Sequence, residues 1–184
     1  MMDRRTFLLG AGAALVSIGP VSAHEISART RARLAPKRVK FSGYAPGTIV
    51  INPRQRRLYY VESRSVATRY VVAVGRFGTS LKGNAVVGRK AQWPSWRPTD
   101  EMIRRRPWRY ARYKNGVPGG PKNPLGSRAL YLYRDGKDTY YRIHGTNNPS
   151  SIGRAVSNGC IRMLNEHVEE LYVRVPIGAK VTIL

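Results

Sequence analysis

The amino-acid sequence predicts one mainly β domain with one or two short helices. From Thr48 onward, short runs of β-branched and aromatic residues recur, and Gly, Pro, Asn and Asp separate them. The chain has 184 residues, a length typical of one domain, and 42% of them are apolar. Together with 11 Tyr, 3 Phe and 3 Trp, this is enough to build a core, which excludes a wholly disordered chain.

Three strands are predicted in the first half of this domain. They cover Thr48 to Ile51, Leu58 to Val61 and Ala67 to Val74, where Val, Ile and Tyr are frequent. Residues 62–65 predict the hairpin loop between the second and the third. Four glycines then break up the stretch to residue 90; they are Gly75, Gly78, Gly83 and Gly88.

A long irregular segment is predicted over residues 91–124. Trp93 and Trp96 stand among prolines, and we expect them to cover an edge of the core rather than to grip a ligand. Within the segment, a short helix is predicted from Asp100 to Arg106, with Thr99 as its N-cap.

Regular elements return in the last third of the sequence. Two strands, Ala129 to Tyr133 and Thr139 to Ile143, are predicted on either side of Asp135-Gly136, a pair typical of a hairpin turn. A loop rich in Ser, Asn, Gly and Pro is expected over residues 147–159.

One amphipathic helix is predicted near the end, over Glu166 to Arg174. Its apolar residues recur with helical spacing on one face: Val168, Leu171, Tyr172 and Val175. We expect Asn165 to cap its start, Pro176 to end it, and Lys180 to Leu184 to form a final strand.

The N-terminus has the pattern of an export signal. Paired Arg4-Arg5 precede an apolar run from Gly10 to Ile18 and a small-residue ending at Ala23. We expect a twin-arginine-type signal peptide over residues 1–23, cleaved after Ala23; a plain Sec signal and an uncleaved anchor are the alternatives. A basic linker with weak order is expected over residues 24–47.

The chain is strongly basic, with 33 Lys and Arg against 10 Asp and Glu and a formal net charge of +23. Such a charge is typical of nucleic-acid binding or of attraction to an anionic wall or membrane surface. Because an exported protein does not meet the chromosome, we expect an anionic envelope surface and no nucleic acid. With 1 Cys and 3 His, an internal disulfide and a Cys-cluster zinc site are excluded, and we expect no metal and no cofactor.

The single cysteine, Cys160, is the first candidate for chemistry. It follows Ser157, Asn158 and Gly159, which are small and polar, whereas a buried inert cysteine more often lies in an apolar stretch. Arg162 and the start of the following helix both favour the thiolate. The residue pattern alone leaves open a nucleophilic thiol and an inert buried one.

His144 follows a predicted strand and lies sixteen positions before Cys160. The loop between them can fold the imidazole against the thiol, which gives the Cys–His unit of acyl transfer. We expect a backbone carbonyl, with that of Gly145 as the candidate, to orient the ring. Backbone N–H groups around Asn158, Gly159 and Cys160 can form an oxyanion hole. The alternative for His144 is a strand-end histidine bonded to the loop.

Three segments together resemble the signature of L,D-transpeptidase catalytic domains, the YkuD-like family: residues 144–146 (HGT), 150–153 (SSIG) and 157–163 (SNGCIRM). The resemblance extends weakly over residues 48–184. It implies a β-sandwich catalytic domain over those residues.

This resemblance also implies a cysteine-dependent acyltransferase of the periplasm or cell envelope. Members use the cysteine, here Cys160, as nucleophile and the first histidine, here His144, as general base and acid. They take a tetrapeptide stem of peptidoglycan, release its terminal D-alanine and pass the thioester to an amine on a second stem, forming a 3–3 cross-link. We therefore expect a role in peptidoglycan biosynthesis, cell wall biogenesis and cell shape.

The sequence departs from the family pattern at Asn158, where many members have a histidine. An amide cannot shuttle a proton near neutral pH, so His144 is left as the base. His167 is expected to be a surface or partly packed helical residue, and a zinc site of Cys160, His144 and His167 is not expected.

Substrate binding is expected to involve Arg162 above all, because a guanidinium fork matches the carboxylates of a stem peptide. A structural ion pair is the alternative for this arginine. Ser157, Asn158, Gly159 and Gly145 complete the candidate oxyanion and substrate-binding residues.

Two other functions remain open from the sequence. Water can resolve the same thioester, which gives an L,D-carboxypeptidase, or the domain is a non-catalytic basic module that holds the wall. A neighbouring stem and a wall-attached protein are both possible acceptors, and a monomer is expected.

Overall fold

The computed structural model describes residues 26–75, 81–157 and 159–184. Its strands are β1 (Lys37–Lys40), β2 (Ile49–Asn52), β3 (Arg57–Val61), β4 (Val66–Val71), β5 (Val74–Gly75), β6 (Gly83–Gln92), β7 (Arg128–Arg134), β8 (Lys137–His144), β9 (Ala155–Ser157), β10 (Ile161–Arg162) and β11 (Lys180–Ile183). Its α-helices are α1 (Ala28–Leu34), α2 (Asp100–Arg105), α3 (Pro107–Tyr110) and α4 (Asn165–Arg174). Short 3₁₀ helices cover Ala111–Tyr113 and Pro149–Ser151.

The expected signal peptide over residues 1–23 and the side chain of Asn158 lie outside the described residues. Within the described part of the chain, none of the helices has the length and apolar character needed to span a bilayer.

Among the described residues, nine strands form one continuous sheet in the order β1-β4-β3-β2-β11-β6-β7-β8-β10, and β5 pairs with β9. Strands β3 and β4 contribute to the same core cluster as β7 and β8, although they lie in different halves of the sheet. The mainly β class is confirmed. The two layers expected of a sandwich are parts of one hydrogen-bonded sheet that encloses a common core.

The centre of the sheet and α4 supply much of this core. Ile49, Val50 and Ile51 of β2 have no solvent exposure, which explains why this strand is a continuous apolar run rather than an alternating one. Val168 and Leu171 on the predicted apolar face of α4 are equally buried.

Residues assigned to a weakly ordered linker form regular structure in their described part, so that expectation is wrong. Ser27 caps α1 by accepting a hydrogen bond from the N–H of Thr30 at 3.2 Å. β1 pairs antiparallel with β4 over its full length. An ion pair between Arg31 and Glu166 fastens α1 to α4.

The longest strand, β6, was not predicted, because its glycines favour a broken segment. Gly88 lies where the register with β7 shifts between Val87 and Arg89. A Cβ at this position would lie 2.4 Å from ring atoms of Tyr133, so the glycine lets the two strands approach. Here the glycine marks a β-bulge within a strand and not the end of the strand.

The described residues contain four α-helices, two more than the upper limit predicted. α2 begins after Thr99 as expected, and the Thr99 hydroxyl accepts from the N–H of Met102 at 3.2 Å. α4 begins at Asn165 with Leu164 as N-cap, so Asn165 does not cap it. The side chain of Asn165 has other hydrogen-bond partners, which lie beside the site described next.

Candidate active site

The pairing of β10 with β8 brings the two candidate chemical groups together. The strands are parallel, with Ile161 opposite Ile143 and Arg162 opposite His144. Cys160, one residue before β10, therefore reaches the end of β8 where His144 lies. Both residues line one cavity of about 740 Å³.

The wall of this cavity comes from three parts of the chain. One part is the irregular segment and the residues that follow it: Trp96, Thr99, Met102, Arg109, Tyr110, Arg112, Tyr113, Val117, Lys122, Pro124 and Leu125. The second part is β8 with the loop that follows it, and the third is the segment 157–162. Together they contribute Tyr140, Tyr141, His144, Asn147, Ser157, Cys160 and Arg162. Trp96 thus lines the cavity, whereas Trp93 is 44% exposed.

His144 is buried, with 3% of its surface exposed, and one ring nitrogen is hydrogen-bonded to the backbone. Nδ1 lies 2.6 Å from the carbonyl oxygen of Gly145, the group anticipated from the sequence. With the proton assigned to Nδ1, this bond leaves Nε2 as the acceptor. Burial, and then the charge of Arg162, lower the pKa of His144 to about 3 despite the carbonyls of Gly145 and Leu125. The imidazole is therefore neutral at pH 7.

Cys160 is half-buried, and its thiol donates to the carbonyl oxygen of Tyr140 with an Sγ to O distance of 3.8 Å. Burial raises the pKa of the thiol. The backbone N–H of Arg142 and the charges of Arg142 and Arg162 act in the opposite direction without compensating. The expectation that the neighbouring cation favours the thiolate is right in sign, but burial outweighs it, so the resting thiol is neutral.

The segment before Cys160 is braced by Ser157. The Ser157 hydroxyl donates to the carbonyl of Cys160 at 2.6 Å and accepts from the N–H of Gly159 at 3.2 Å. The N–H of Gly159 is therefore already bonded and not directed at a substrate. Gly159 has φ +124°, and a Cβ there would lie 3.0 Å from the ring of Tyr141.

Asn165 organises the chain just after His144, a role the sequence pattern did not reveal. Its Oδ1 accepts from the N–H of Ser127 at 3.3 Å and from the N–H of Thr146 at 3.0 Å. A Cβ on Gly145 would lie 2.2 Å from this oxygen. The glycine is thus required by close approach, and the asparagine fixes the segment whose carbonyl orients His144.

Arg162 points into the cavity with part of its guanidinium unsatisfied. Its Nε is buried without a hydrogen-bond partner, and no ion pair of this arginine is found among the described residues. Burial lowers its pKa. With Arg109, Arg112 and Lys122, it gives the cavity four cationic side chains, and the described lining contains no Asp or Glu.

His167, expected to be a surface or partly packed helical residue, is 5% exposed within α4 and is therefore packed more deeply than expected. Its ring centroid lies 6.0 Å from that of Tyr70, and it is not part of the cavity wall. In the part of the chain that the structure describes, no three His, Cys, Asp or Glu side chains are grouped closely enough to hold a metal ion.

The cavity residues thus comprise a thiol, a neutral imidazole and a concentration of positive charge. A thiol with an imidazole as proton acceptor can form a thioester by attacking an amide carbonyl. The surrounding cations favour a substrate that carries carboxylates. These groups are the ones that cysteine acyl transfer requires.

Comparison with known protein families agrees with this class. Residues 46–183 match the YkuD family, the L,D-transpeptidase catalytic domain. The chain therefore belongs to the L,D-transpeptidase catalytic domain family.

Curated relatives are similar over the same region. ErfK/SrfK of Escherichia coli (strain K12), described as a probable L,D-transpeptidase, is 38% identical over 140 residues, which are 74% of this chain and 43% of that protein. YbiS of the same strain, with the same description, is 36% identical over 143 residues, 72% of this chain and 43% of that protein. The chain spans less than half the length of these relatives.

Solved structures share the fold. A crystal structure from Brucella melitensis, described as a probable carnitine operon oxidoreductase caia, has 55% identity and a TM-score of 0.58 over 82% of this chain and 93% of that chain. L,D-transpeptidase 3 from Mycobacterium tuberculosis has 16% identity and a TM-score of 0.52 over 74% of this chain and 60% of that chain. The second likeness concerns the fold alone.

Proposed function

We propose that this chain is a peptidoglycan L,D-transpeptidase that uses Cys160 as nucleophile and His144 as general base and acid. The observation that carries the proposal is their meeting in one cavity of a domain that belongs to this family. The family match and the thiol–imidazole cavity both favour acyl transfer.

In the first half-reaction, neutral His144 takes the thiol proton through Nε2 while Sγ of Cys160 attacks the carbonyl before the terminal D-alanine of a tetrapeptide stem. The C–S bond forms, and the imidazolium returns the proton to the leaving amine as the C–N bond breaks. The low pKa of His144 keeps it a proton acceptor at neutral pH and makes the imidazolium a strong donor.

In the second half-reaction, an amine of an acceptor stem attacks the thioester carbonyl. His144 removes a proton from this amine and returns one to the departing sulfur, which restores the neutral pair. A 3–3 cross-link between stems is the product. If water attacks instead of the amine, the same site is an L,D-carboxypeptidase.

The oxyanion that forms in both steps needs a hydrogen-bond donor. Because the N–H of Gly159 is bonded to Ser157, we assign this role to the backbone N–H of Cys160 itself. Ser157 then shapes the segment rather than contacting substrate. Asn158, a further candidate for substrate binding, lies outside the described residues.

Substrate binding rests on the positive charge of the cavity. The guanidinium of Arg162, which has no carboxylate partner among the described side chains, is free to pair with a carboxylate of the stem. Arg109, Arg112 and Lys122 surround the rest of the cavity and favour further carboxylates.

We place this activity in the periplasm. The twin-arginine-type pattern at residues 1–23 supports export, and the net charge of +23 supports attraction to the anionic envelope. The protein acts as a monomer in this proposal, and its default acceptor is a neighbouring stem rather than a wall-attached protein.

The test is intact-mass spectrometry of the protein after incubation with a disaccharide-tetrapeptide. We expect a covalent adduct on Cys160 and release of D-alanine, no adduct with Cys160→Ala, and acylation at least about 100-fold slower with His144→Gln. Equal thermal unfolding of Cys160→Ala and the parent protein is the control for folding. Acyl transfer by Cys160→Ala would refute the mechanism.

The products separate the remaining functions. Cross-linked dimers indicate a transpeptidase, whereas free tripeptide alone indicates the carboxypeptidase. Salt-sensitive binding to sacculi with no adduct, unchanged by Cys160→Ala, would leave only the basic wall-binding module.

A further inference from the structure

The strand that carries His144 is distorted just before the site. β7 advances from Tyr131 to Tyr133 while its partner positions in β8 run from Arg142 to Asp138, so β8 contains two extra residues. Within this bulge, Tyr140 has φ +61°, a left-handed conformation that is rare for a bulky residue. Bulges of this kind re-aim groups beside functional sites.

Asp138 bonds the backbone of Tyr140. Oδ1 of Asp138 accepts from the N–H of Tyr140 at 2.8 Å in an Asx-type turn, which fixes the position of this N–H group. The same carboxylate receives both terminal nitrogens of Arg142 at 2.7 and 2.9 Å. This ion pair spans the bulge and closes it, with only 14% of the Arg142 side chain exposed.

The bulge presents two backbone groups to the nucleophile. One is the carbonyl of Tyr140, which accepts from the thiol of Cys160 at 3.8 Å. The other is the N–H of Arg142, whose residue lies opposite Cys160 when the register of β8 and β10 is continued by one position. The carbonyl accepts a hydrogen bond from the neutral thiol. The N–H can donate to the negative sulfur that develops on attack and would stabilise it.

We propose that Asp138 is a positioning residue for the nucleophile, because it holds Tyr140 in the left-handed conformation that aims the β8 bulge at the sulfur of Cys160. Its action is indirect, since Asp138 reaches Cys160 through the backbone of residues 140 and 142. The catalytic consequence of this positioning rests on the proposed function. Its test uses a reagent that needs no peptidoglycan.

The first test compares two substitutions that remove the same phenol. Tyr140→Asn keeps a residue that tolerates positive φ, whereas Tyr140→Val places a β-branched residue that does not. Cys160 is the single cysteine, so its alkylation by iodoacetamide can be followed by intact mass as a function of pH. We expect the high-pH plateau rate of Tyr140→Val to be roughly 10-fold or more below that of Tyr140→Asn.

The second test separates the charge of Asp138 from its geometry. Asp138→Asn and Asp138→Ala both remove the negative charge near Cys160, so both shift the alkylation midpoint to lower pH. Only Asp138→Asn keeps the oxygen that accepts from Tyr140. We expect Asp138→Ala alone to lose roughly 10-fold or more in plateau alkylation and in stem acylation.

Glu170→Ala is the matched control, because Glu170 pairs with an arginine four residues later, as Asp138 does, but on α4 outside the cavity wall. Equal plateau rates for both members of either pair would overturn the proposal. If Asp138→Ala does not fold, the Tyr140 pair still decides. Failure of the stem substrate with intact differences in alkylation would refute the proposed function and leave the positioning role in place.

Discussion

At the scale of single residues, the site is governed by burial more than by its many cations. The net charge of +23 and the nearness of Arg142 and Arg162 favour a thiolate, yet burial raises the pKa of Cys160 and lowers that of His144. The resting site therefore holds a thiol and a neutral imidazole in one cavity. In the proposed mechanism, attack therefore requires transfer of the thiol proton to the imidazole.

Asn165 gives a prediction at this scale. Asn165→Ala removes the acceptor of two backbone N–H groups, those of Ser127 and Thr146. Leaving such groups unpaired costs on the order of 1–3 kcal/mol each, so we expect a lower free energy of unfolding and slower acylation. Urea denaturation and the acylation assay measure the two effects.

Asn165→Asp is the matched variant, because it keeps an acceptor oxygen at the start of α4, where negative charge is favourable. It should retain most of the stability and activity lost in Asn165→Ala. Equal losses in the two variants would contradict the proposed hydrogen-bonding role.

The predictability of the site differs from residue to residue for physical reasons. Cys160, His144 and the carbonyl of Gly145 could be predicted as candidates because the residues next to each of them in the sequence carry the signal. Asn165 could not, because an asparagine before a helix is typically a cap, and its actual partners are far away in sequence. The left-handed conformation of Tyr140 could not be predicted either. It occurs in a bulge of β8, and the residue types in this strand do not reveal the bulge.

At the scale of secondary-structure elements, β6 is the strand on which the second half of the sheet is built. It lies between β11 and β7, so its register sets that of β7 and then of β8, which ends in His144. Gly88 allows this register, because a side chain at position 88 would collide with the base of the Tyr133 ring.

Gly88→Ala should therefore reduce the free energy of unfolding by about 1–3 kcal/mol, the usual cost of an added carbon in a packed contact. The thermal unfolding temperature measures this loss. The cost should be smaller in a Tyr133→Ala background, which removes the obstructing ring. An unchanged cost in the double variant would contradict the steric explanation.

Strands with clear polar boundaries could be predicted to within one or two residues, as for β2, β3, β7 and β11. β6 could not, because glycine at a bulge and glycine in a loop have the same sequence pattern. α1 and β1 could not be predicted, because neither has a hydrophobic periodicity. α1 is instead held by a contact with α4, and β1 by its pairing with β4.

At the scale of the whole molecule, the buried and paired groups make stability depend on pH. The pKa of His144 falls from 6.5 to about 3 on folding, so below about pH 6.5 the unfolded chain binds a proton that the folded chain does not. Stability should fall as the pH decreases through this window. Below 4.5 a second loss begins, because the pKa of Glu62 is lowered to about 2 by Thr68, Arg174 and Arg38.

Urea midpoints measured between pH 7.5 and 3.5 test this dependence. His144→Gln should reduce the slope from about pH 6.5 down to the lowest pH measured, although the lowered pKa of His167 keeps part of the slope in place. Glu62→Gln should flatten it mainly below pH 4.5. A parent profile that is level from pH 7 to 4 would contradict the burial of a neutral His144.

The position of β1 has a consequence for how the molecule meets its neighbours. Its pairing occupies the outer hydrogen-bonding groups of β4, which would otherwise offer an open template for strand addition by another chain. Three of its four residues, Lys37, Arg38 and Lys40, are cationic, so like charges repel a second copy approaching the new margin. A short basic segment outside the family domain thereby covers this edge of the sheet and disfavours strand addition by a second copy.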